Sequence, residues 1–364
     1  MPARSDRKSI YSVPAFRVEA GARGFRAQEC GYSPATMSKV VVVTGASAGV
    51  GRAAASAFAE RGDRVGLVAR GGDSLQGAAN EVAEAGGEPL VVAADVADPQ
   101  QVDDAATTIE AELGEIDVWV NNAMATVFAP FAEIEPDEFE RATRVTYLGV
   151  VWGTRAALRR MGPRDRGVVV QVGSALAYRG IPLQSAYCGA KHAIKGFTES
   201  VRSELLHDES HVHMTMVQLP ALNTPQFEIG RAKVDRHPQP MPPIYQPEVA
   251  ANAIVWASEH RRREIYVGGP TVKTIWGNKL LPALGDVYLA RNGFGAQLTD
   301  ERLAEERNGN LFAPVPGDHG TRGRFNDARR HSLQLALAKH RRAIAGAGLA
   351  VAGVAALSAS RALR

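Results

Sequence analysis

From Val40 onward the chain alternates short, uninterrupted apolar runs with longer stretches whose apolar residues recur every three or four positions. "KVVVVTG" is a β-branched run without polar alternation, the pattern of a strand buried on both faces of a parallel sheet. "GRAAASAFAERG" has helical spacing and stops at Gly62, where the absence of a Cβ lets the chain turn out of a helix. The rhythm continues through strand "RVGLVAR", helix "DSLQGAANEVAEAGG", strand "PLVVAADV", helix "DPQQVDDAATTIEAELG" and strand "IDVWVNNA". A long helix from about Pro136 to Met161 follows, then strand "GVVVQVGS", a helix from near Ser185 to about His207, strand "VHMTMVQLP", a helix over Pro247–Glu259 and strand "EIYVGG". Such alternation predicts an α/β fold: a doubly wound parallel sheet of about seven strands, wrapped by helices, in one domain over residues 37–270.

The flanks break this rhythm. Residues 1–36 are rich in Arg, Ser, Gly and Ala without periodicity and read as a disordered leader. An upstream extension suits them better than a transit peptide, because Met37 stands directly before the first strand. After Gly269 the strand–helix rhythm stops, and residues 271–330 read as an irregular linker because "LTDERLAEERNGNLFAPVPGDHGTRGRF" within them is polar and punctuated by Gly and Pro. The chain from 331 to 364 reads as a helical extension: the basic amphipathic "DARRHSLQLALAKHRR" runs into the uncharged stretch Ala343–Ser360. As a helix that stretch would measure about 27 Å, just short of the ~30 Å hydrocarbon core of a bilayer. Two readings stand for it: a single C-terminal membrane anchor beside a basic cluster suited to anionic lipid, or a soluble helix docked on protein.

Composition narrows the classes. A net charge of +3 gives no argument for nucleic acid as a partner. Two cysteines, Cys30 and Cys188, in unlike contexts form no disulfide framework and suit a reducing compartment such as the cytoplasm. His, Cys and carboxylates nowhere show metal-ligand spacing, so no metal site is expected.

The strongest chemical signal follows the first strand. "TGASAGVG" puts Gly45, Ser47, Gly49, Val50 and Gly51 at a strand-to-helix turn. There a pyrophosphate can approach bare backbone and meet the unpaired N–H groups of a helix N-terminus. At the end of the second strand a carboxylate would hydrogen-bond a ribose 2′-OH, whereas an arginine accommodates a 2′-phosphate. Arg70 occupies that place in "VGLVARGG", which points to NADP(H).

With "TGASAGVG", "NNA", Ser174 and "YCGAK" in this order, the chain resembles the short-chain dehydrogenase/reductase family over about Val40 to Gly269. The resemblance implies a Rossmann sheet, and dimers or tetramers formed through two long helices. It also implies roles for matching positions: Asp95 and Val96 beside the adenine, Asn121 lining the cofactor cleft, and Thr224 holding the nicotinamide carboxamide. The chain departs from the family pattern at Met124 and Ala221, where glycine is usual. It departs again at Thr146, where the family's fourth catalytic residue, an asparagine that holds a water on the proton path, is expected.

The stretch "SALAYRGIPLQSAYCGAK" offers two tyrosines for acid–base work. A phenol with a pKa near 10 needs a nearby cation to work at neutral pH. Tyr187 and Lys191, four apart on one helix, share a face, and Ser174 ends the preceding strand. Tyr187 is therefore the expected acid/base, Lys191 the residue that lowers its pKa and binds the ribose, and Ser174 the group that orients the substrate oxygen. Tyr178 lies in a loop and is left to pack or to wall the substrate pocket; Lys195 is expected to face solvent. Phe227, Ile229, Met241, Ile244 and Tyr245, in the segment 226–246, lean towards an apolar ketone or alcohol, though the same residues could simply pack a lid. The expected activity is carbonyl reduction with NADPH, and the competing reading is a non-catalytic NADP(H)-binding sensor or scaffold.

Overall fold

A computed structural model describes residues 38–303 and 307–341. The expected leader and the uncharged stretch Ala343–Ser360 lie outside the described residues. The elements run β1 (Val40–Thr44), α1 (Gly49–Ala59), β2 (Arg64–Ala69), α2 (Asp73–Glu84), β3 (Glu88–Ala93), α3 (Pro99–Leu113), β4 (Ile116–Asn121) and β5 (Val127–Phe128). Then come α4 (Pro136–Thr143), α5 (Gly149–Met161), β6 (Val168–Ser174), α6 (Ser185–His207), β7 (His213–Leu219), α7 (Gln226–Ile229), β8 (Arg231–Ala232) and β9 (Arg236–Pro238). The series ends with α8 (Pro247–Glu259), β10 (Glu264–Tyr266), α9 (Gly269–Leu280), α10 (Pro282–Asn292), β11 (Leu298–Arg302) and α11 (Leu333–Lys339).

Seven parallel strands form one sheet in the order β10-β7-β6-β4-β1-β2-β3. β1 lies inside it, and its side chains are buried on both faces, which is why the sequence there is continuous rather than alternating. One apolar layer joins the sheet to α1, α2 and α8 through residues such as Phe58, Leu75 and Ile254. The opposite layer, built around Trp119, Ile109 and Met161, joins it to α3 and α5. The chain leaves β1 towards β2 and β3, then returns to place β4 on its other side. Loops after β1 and β4 therefore part to opposite faces and open a crevice at the carboxyl ends of the strands.

Two features differ from the sequence reading. The long helix expected from Pro136 to Met161 is interrupted by a π-helical turn, Arg144–Leu148, between α4 and α5. The expected linker after residue 270 contains α9 and α10. Its prolines misled: Pro270 and Pro282 sit in the first turns of these helices, where no amide hydrogen bond is lost. Further on, β11 pairs antiparallel with β9, and Leu335 of α11 is buried in the α1/α8 layer.

Candidate active site

The crevice holds a cavity of about 810 Å³ lined from the carboxyl ends of β1, β2, β3, β4, β6 and β7. Gly45, Ser47, Gly49 and Val50 lie on its wall. Gly45 and Gly49 have φ of +67° and +56°, and a Cβ on Gly45 would lie 2.7 Å from the Ala123 Cα, so only glycine serves there. The first turn of α1 carries no side-chain cap, leaving amides and the positive end of the helix dipole available to an anion. Gly49 is the exception: its amide donates to the Gly320 carbonyl at 3.1 Å. Gly51 has a different reason from the expected one. It is buried behind the turn, where a Cβ would lie 2.2 Å from the Gly45 carbonyl oxygen, so it sets close helix packing rather than contact with a ligand. An uncapped helix start behind a bare-backbone turn, opening on a long cavity, fits a dinucleotide.

Arg70, Asp95 and Val96 line the same cavity at the end served by β2 and β3. The Arg70 guanidinium donates to the carbonyls of Asn310 and Leu311. Arg141 converges on the Leu311 carbonyl too, at 3.1 Å, and pairs with the Asp95 carboxylate at 2.5 Å. Burial first, then the neighbouring Arg141, weighs against the charge on Arg70 and holds its pKa below the usual arginine value.

Ser174, Tyr187 and Lys191 all line the cavity. Ser174 ends β6 and caps the following turn, its Oγ accepting the Leu176 amide at 3.1 Å, which leaves the hydroxyl proton free to donate inward. Tyr187 and Lys191 lie one turn apart on α6, with Nζ 5.5 Å from the tyrosine ring centre. Burial raises the Tyr187 phenol well above its ordinary range, and the Ser174 hydroxyl pulls it partly back. Burial likewise lowers the Lys191 ammonium to about 8. The Lys191 Nζ donates to the Val172 carbonyl at 2.6 Å, which fixes the ammonium against the end of β6.

Several sequence expectations shift. Asn121 does not line the cavity; it is buried, accepting from Trp119 Nε1 at 2.8 Å and donating to Thr154 and Gln171 at 3.0 Å. Asn122 lines it instead, because successive residues at a strand end point to opposite sides. Thr146 is fully buried in the π-helical turn. Its hydroxyl donates to the Ala125 carbonyl at 2.8 Å and accepts the Ala125 amide at 2.9 Å, so it braces the Met124–Thr126 wall and does not reach the cavity. Tyr178 packs and does not wall the pocket: its hydroxyl donates to the Glu264 carboxylate at 2.7 Å, and its ring meets Tyr266 edge-on. Lys195 is only partly exposed and pairs with Glu199 at 2.8 Å. Thr224 and Met124 do line the cavity.

On the substrate side Phe227, Ile229 and Met241 line the cavity, as expected. Ile244 and Tyr245 do not, and Tyr245 is buried in the core layer beside α8. Leu176, Ile181, Leu222 and Leu289 complete an apolar lining. The sequence reading missed two contributors. α9 and α10 supply Thr274, Asn278 and Tyr288, and the irregular, proline-containing stretch from Asn310 to His319 supplies Pro314, Val315 and Pro316. Neither segment carries a motif that marks it as part of a site.

A family model described as short chain dehydrogenase matches residues 39–233. An uncharacterized oxidoreductase of Bacillus subtilis (strain 168), YxnA, is 32% identical over 77% of this chain and 80% of its own length. Dehydrogenase/reductase SDR family member 7B of Bos taurus is 32% identical over 49% of this chain, which spans only 56% of that protein. Among solved structures, a short-chain dehydrogenase from Streptomyces avermitilis superposes with a TM-score of 0.59 at 27% identity, covering 72% of this chain and 99% of that one. A metagenomic short-chain oxidoreductase in complex with NADP gives a TM-score of 0.53 at 26% identity, over 63% of this chain and 96% of that one. The sheet order, the glycine turn at the switch point and these likenesses agree: the chain belongs to the short-chain dehydrogenase/reductase family, oxidoreductases that use a nicotinamide cofactor on small-molecule substrates.

Proposed function

We propose that the protein is an NADP(H)-dependent oxidoreductase that interconverts a carbonyl and a secondary alcohol on an apolar substrate. The observation that carries the reading is the convergence of Ser174, Tyr187 and Lys191 on one cavity that also contains the glycine turn. The bound nicotinamide supplies or accepts the hydride at the substrate carbon. In the reductive direction Tyr187 donates its phenolic proton to the substrate oxygen, and the raised pKa ensures that the proton is present at neutral pH. Ser174 donates a second hydrogen bond to the same oxygen, stabilising the charge that develops on it. Lys191, mostly protonated below about 8, stands beside the phenol and can hold a ribose hydroxyl and favour the phenolate once the proton has left.

NADP(H) is preferred because Arg70 and Arg141 flank the end of β2, with no carboxylate at position 70 or 71 to hold a ribose 2′-hydroxyl. One of the similar structures binds NADP, which supports the same choice. An apolar substrate follows from the lining of Met124, Leu176, Ile181, Leu222, Phe227 and Met241. The reading of a non-catalytic scaffold gains nothing from Thr146, whose side chain lies outside the cavity. The test is absorbance of NADPH in the presence of a panel of apolar and small polar ketones, repeated with NADH. Faster oxidation with apolar ketones, and a preference for NADPH, is the expected result. No oxidation with any ketone, or NADH outperforming NADPH, overturns the reading.

A further inference from the structure

We infer that residues 310–323 form a strap that encloses the bound dinucleotide and lifts to release it, held shut by the Arg52–Asp318 ion pair outside the cavity. The inference rests on the reading that this cavity takes a nicotinamide dinucleotide. The strap lies wholly beyond the family match, which ends at residue 233.

The strap crosses the nucleotide side of the crevice from rim to rim. At one end the carbonyls of Asn310 and Leu311 accept from Arg70, and the Leu311 side chain is fully buried under the sheet. Ser74, near the start of α2, donates to the Gly317 carbonyl at 2.9 Å and accepts the His319 amide at 3.0 Å. The Gly320 carbonyl then takes the Gly49 amide at the start of α1. At the far rim the Gly323 amide donates to the Asn223 carbonyl at 3.3 Å, and Asn223 Oδ1 accepts the Phe325 amide at 3.0 Å. Between these points Pro314, Val315, Pro316, Gly317 and His319 face the cavity. The two prolines bring no amide donor that a ligand would have to satisfy. A nucleotide seated against the glycine turn would therefore have covalently continuous chain across this side of the cavity.

The latch is placed outside this wall. Arg52 is almost wholly buried and donates bidentately to Glu81 at 2.9 Å on both nitrogens. The same guanidinium binds both oxygens of Asp318, one of them at 3.1 Å. Asp318 is half exposed, and the Arg52 hydrogen bond holds its carboxyl below the usual carboxylate range. Neither residue lines the cavity. Opposite them stands Gly77 on α2, where a Cβ would lie 2.2 Å from Asp318 Oδ2.

Two substitutions loosen the latch by different routes. Asp318→Asn removes the charge, and Gly77→Ala displaces the Asp318 side chain while placing a better helix former in α2. In Asp318→Asn Arg52 keeps Glu81, so no buried cation is stranded; in Gly77→Ala the added Cβ would also lie 2.9 Å from Arg52 Nη2, so both sides of the latch are pushed apart. Dissociation of NADPH is followed by the change in its fluorescence after mixing with excess NADP. The expected result is a rate at least tenfold above wild type in both variants. Hydrogen exchange of residues 310–323 in the wild type is expected to slow when NADPH is added. A dissociation rate within twofold of wild type in either variant overturns the strap, as does unchanged exchange in wild type that binds NADPH. Failure of the wild type to bind NADPH or NADH at all is a separate outcome, which overturns the dinucleotide reading and the strap with it.

Discussion

The two tyrosines flanking the turn after β6 differ in what their hydroxyls meet, and this decides their chemistry. Tyr187 opens on the cavity beside Ser174, while Tyr178 is tied to Glu264 on the far side of the loop. Tyr187→Phe should lower kcat by 10²- to 10⁴-fold, the range for losing a positioned general acid, with NADPH binding retained. Tyr178→Phe should keep turnover within a few-fold of wild type and lower stability by about 1 kcal/mol. Steady-state kinetics on the two variants side by side checks both expectations; the reverse ranking sinks the assignment. Lys191 gives a pH dependence with a defined sign. Folding lowers its pKa to about 8 from the ordinary 10.5, so between these values the unfolded chain holds a proton that the folded one lacks. Stability therefore rises with pH across this window, by an amount on the order of 3 kcal/mol for a fully buried group. Turnover that needs the ammonium should fall as pH passes about 8. Denaturant unfolding from pH 7 to 10 on wild type and Lys191→Met checks the first point, because the variant should lack this component of the slope.

At the level of elements, the strand–helix alternation was legible because burial on both faces of a parallel sheet leaves continuous apolar runs that few other structures share. The boundaries of α6 and α8 agree with their sequence signals because Pro247 and the Ser185 turn mark where helices can begin. The π-helical turn between α4 and α5 was not legible, since "RVTYLGVVWGT" reads as ordinary helix. Thr146 within it binds both the amide and the carbonyl of Ala125. Thr146→Val should leave both backbone groups buried and unpaired, costing about 1–3 kcal/mol. Chemical unfolding should record that loss, while the pH profile of kcat stays unshifted; a shifted profile would mean that Thr146 acts on the proton path after all. The helices α9 and α10 escaped the sequence reading for the opposite reason. Their Gly and Pro content resembles a linker, and what holds them is packing beside the cavity rather than a strong apolar stripe of their own.

Across the whole molecule, the cavity draws on segments from Gly45 to His319, so ligand binding should stabilise the fold as one unit. NADPH at a hundredfold excess over its Kd should add about 2.7 kcal/mol. NADH at the same concentration should add less if Arg70 and Arg141 meet a 2′-phosphate. Thermal unfolding with each nucleotide measures the difference, and equal shifts would count against that role for Arg70. Among the described residues no helix is long and apolar enough to cross a membrane. The sequence by itself determined the doubly wound sheet, the glycine turn and the shared helix face of Tyr187 and Lys191, because each depends on local spacing: period, turn geometry, one helical turn. Tertiary structure alone decided which of Asn121 and Asn122 meets the cavity, where the Lys191 ammonium points, and that an irregular stretch some 270 residues from the glycine turn hydrogen-bonds to it. Those depend on which surfaces the folded chain brings together, and no local pattern encodes a contact whose partner lies that far along the chain.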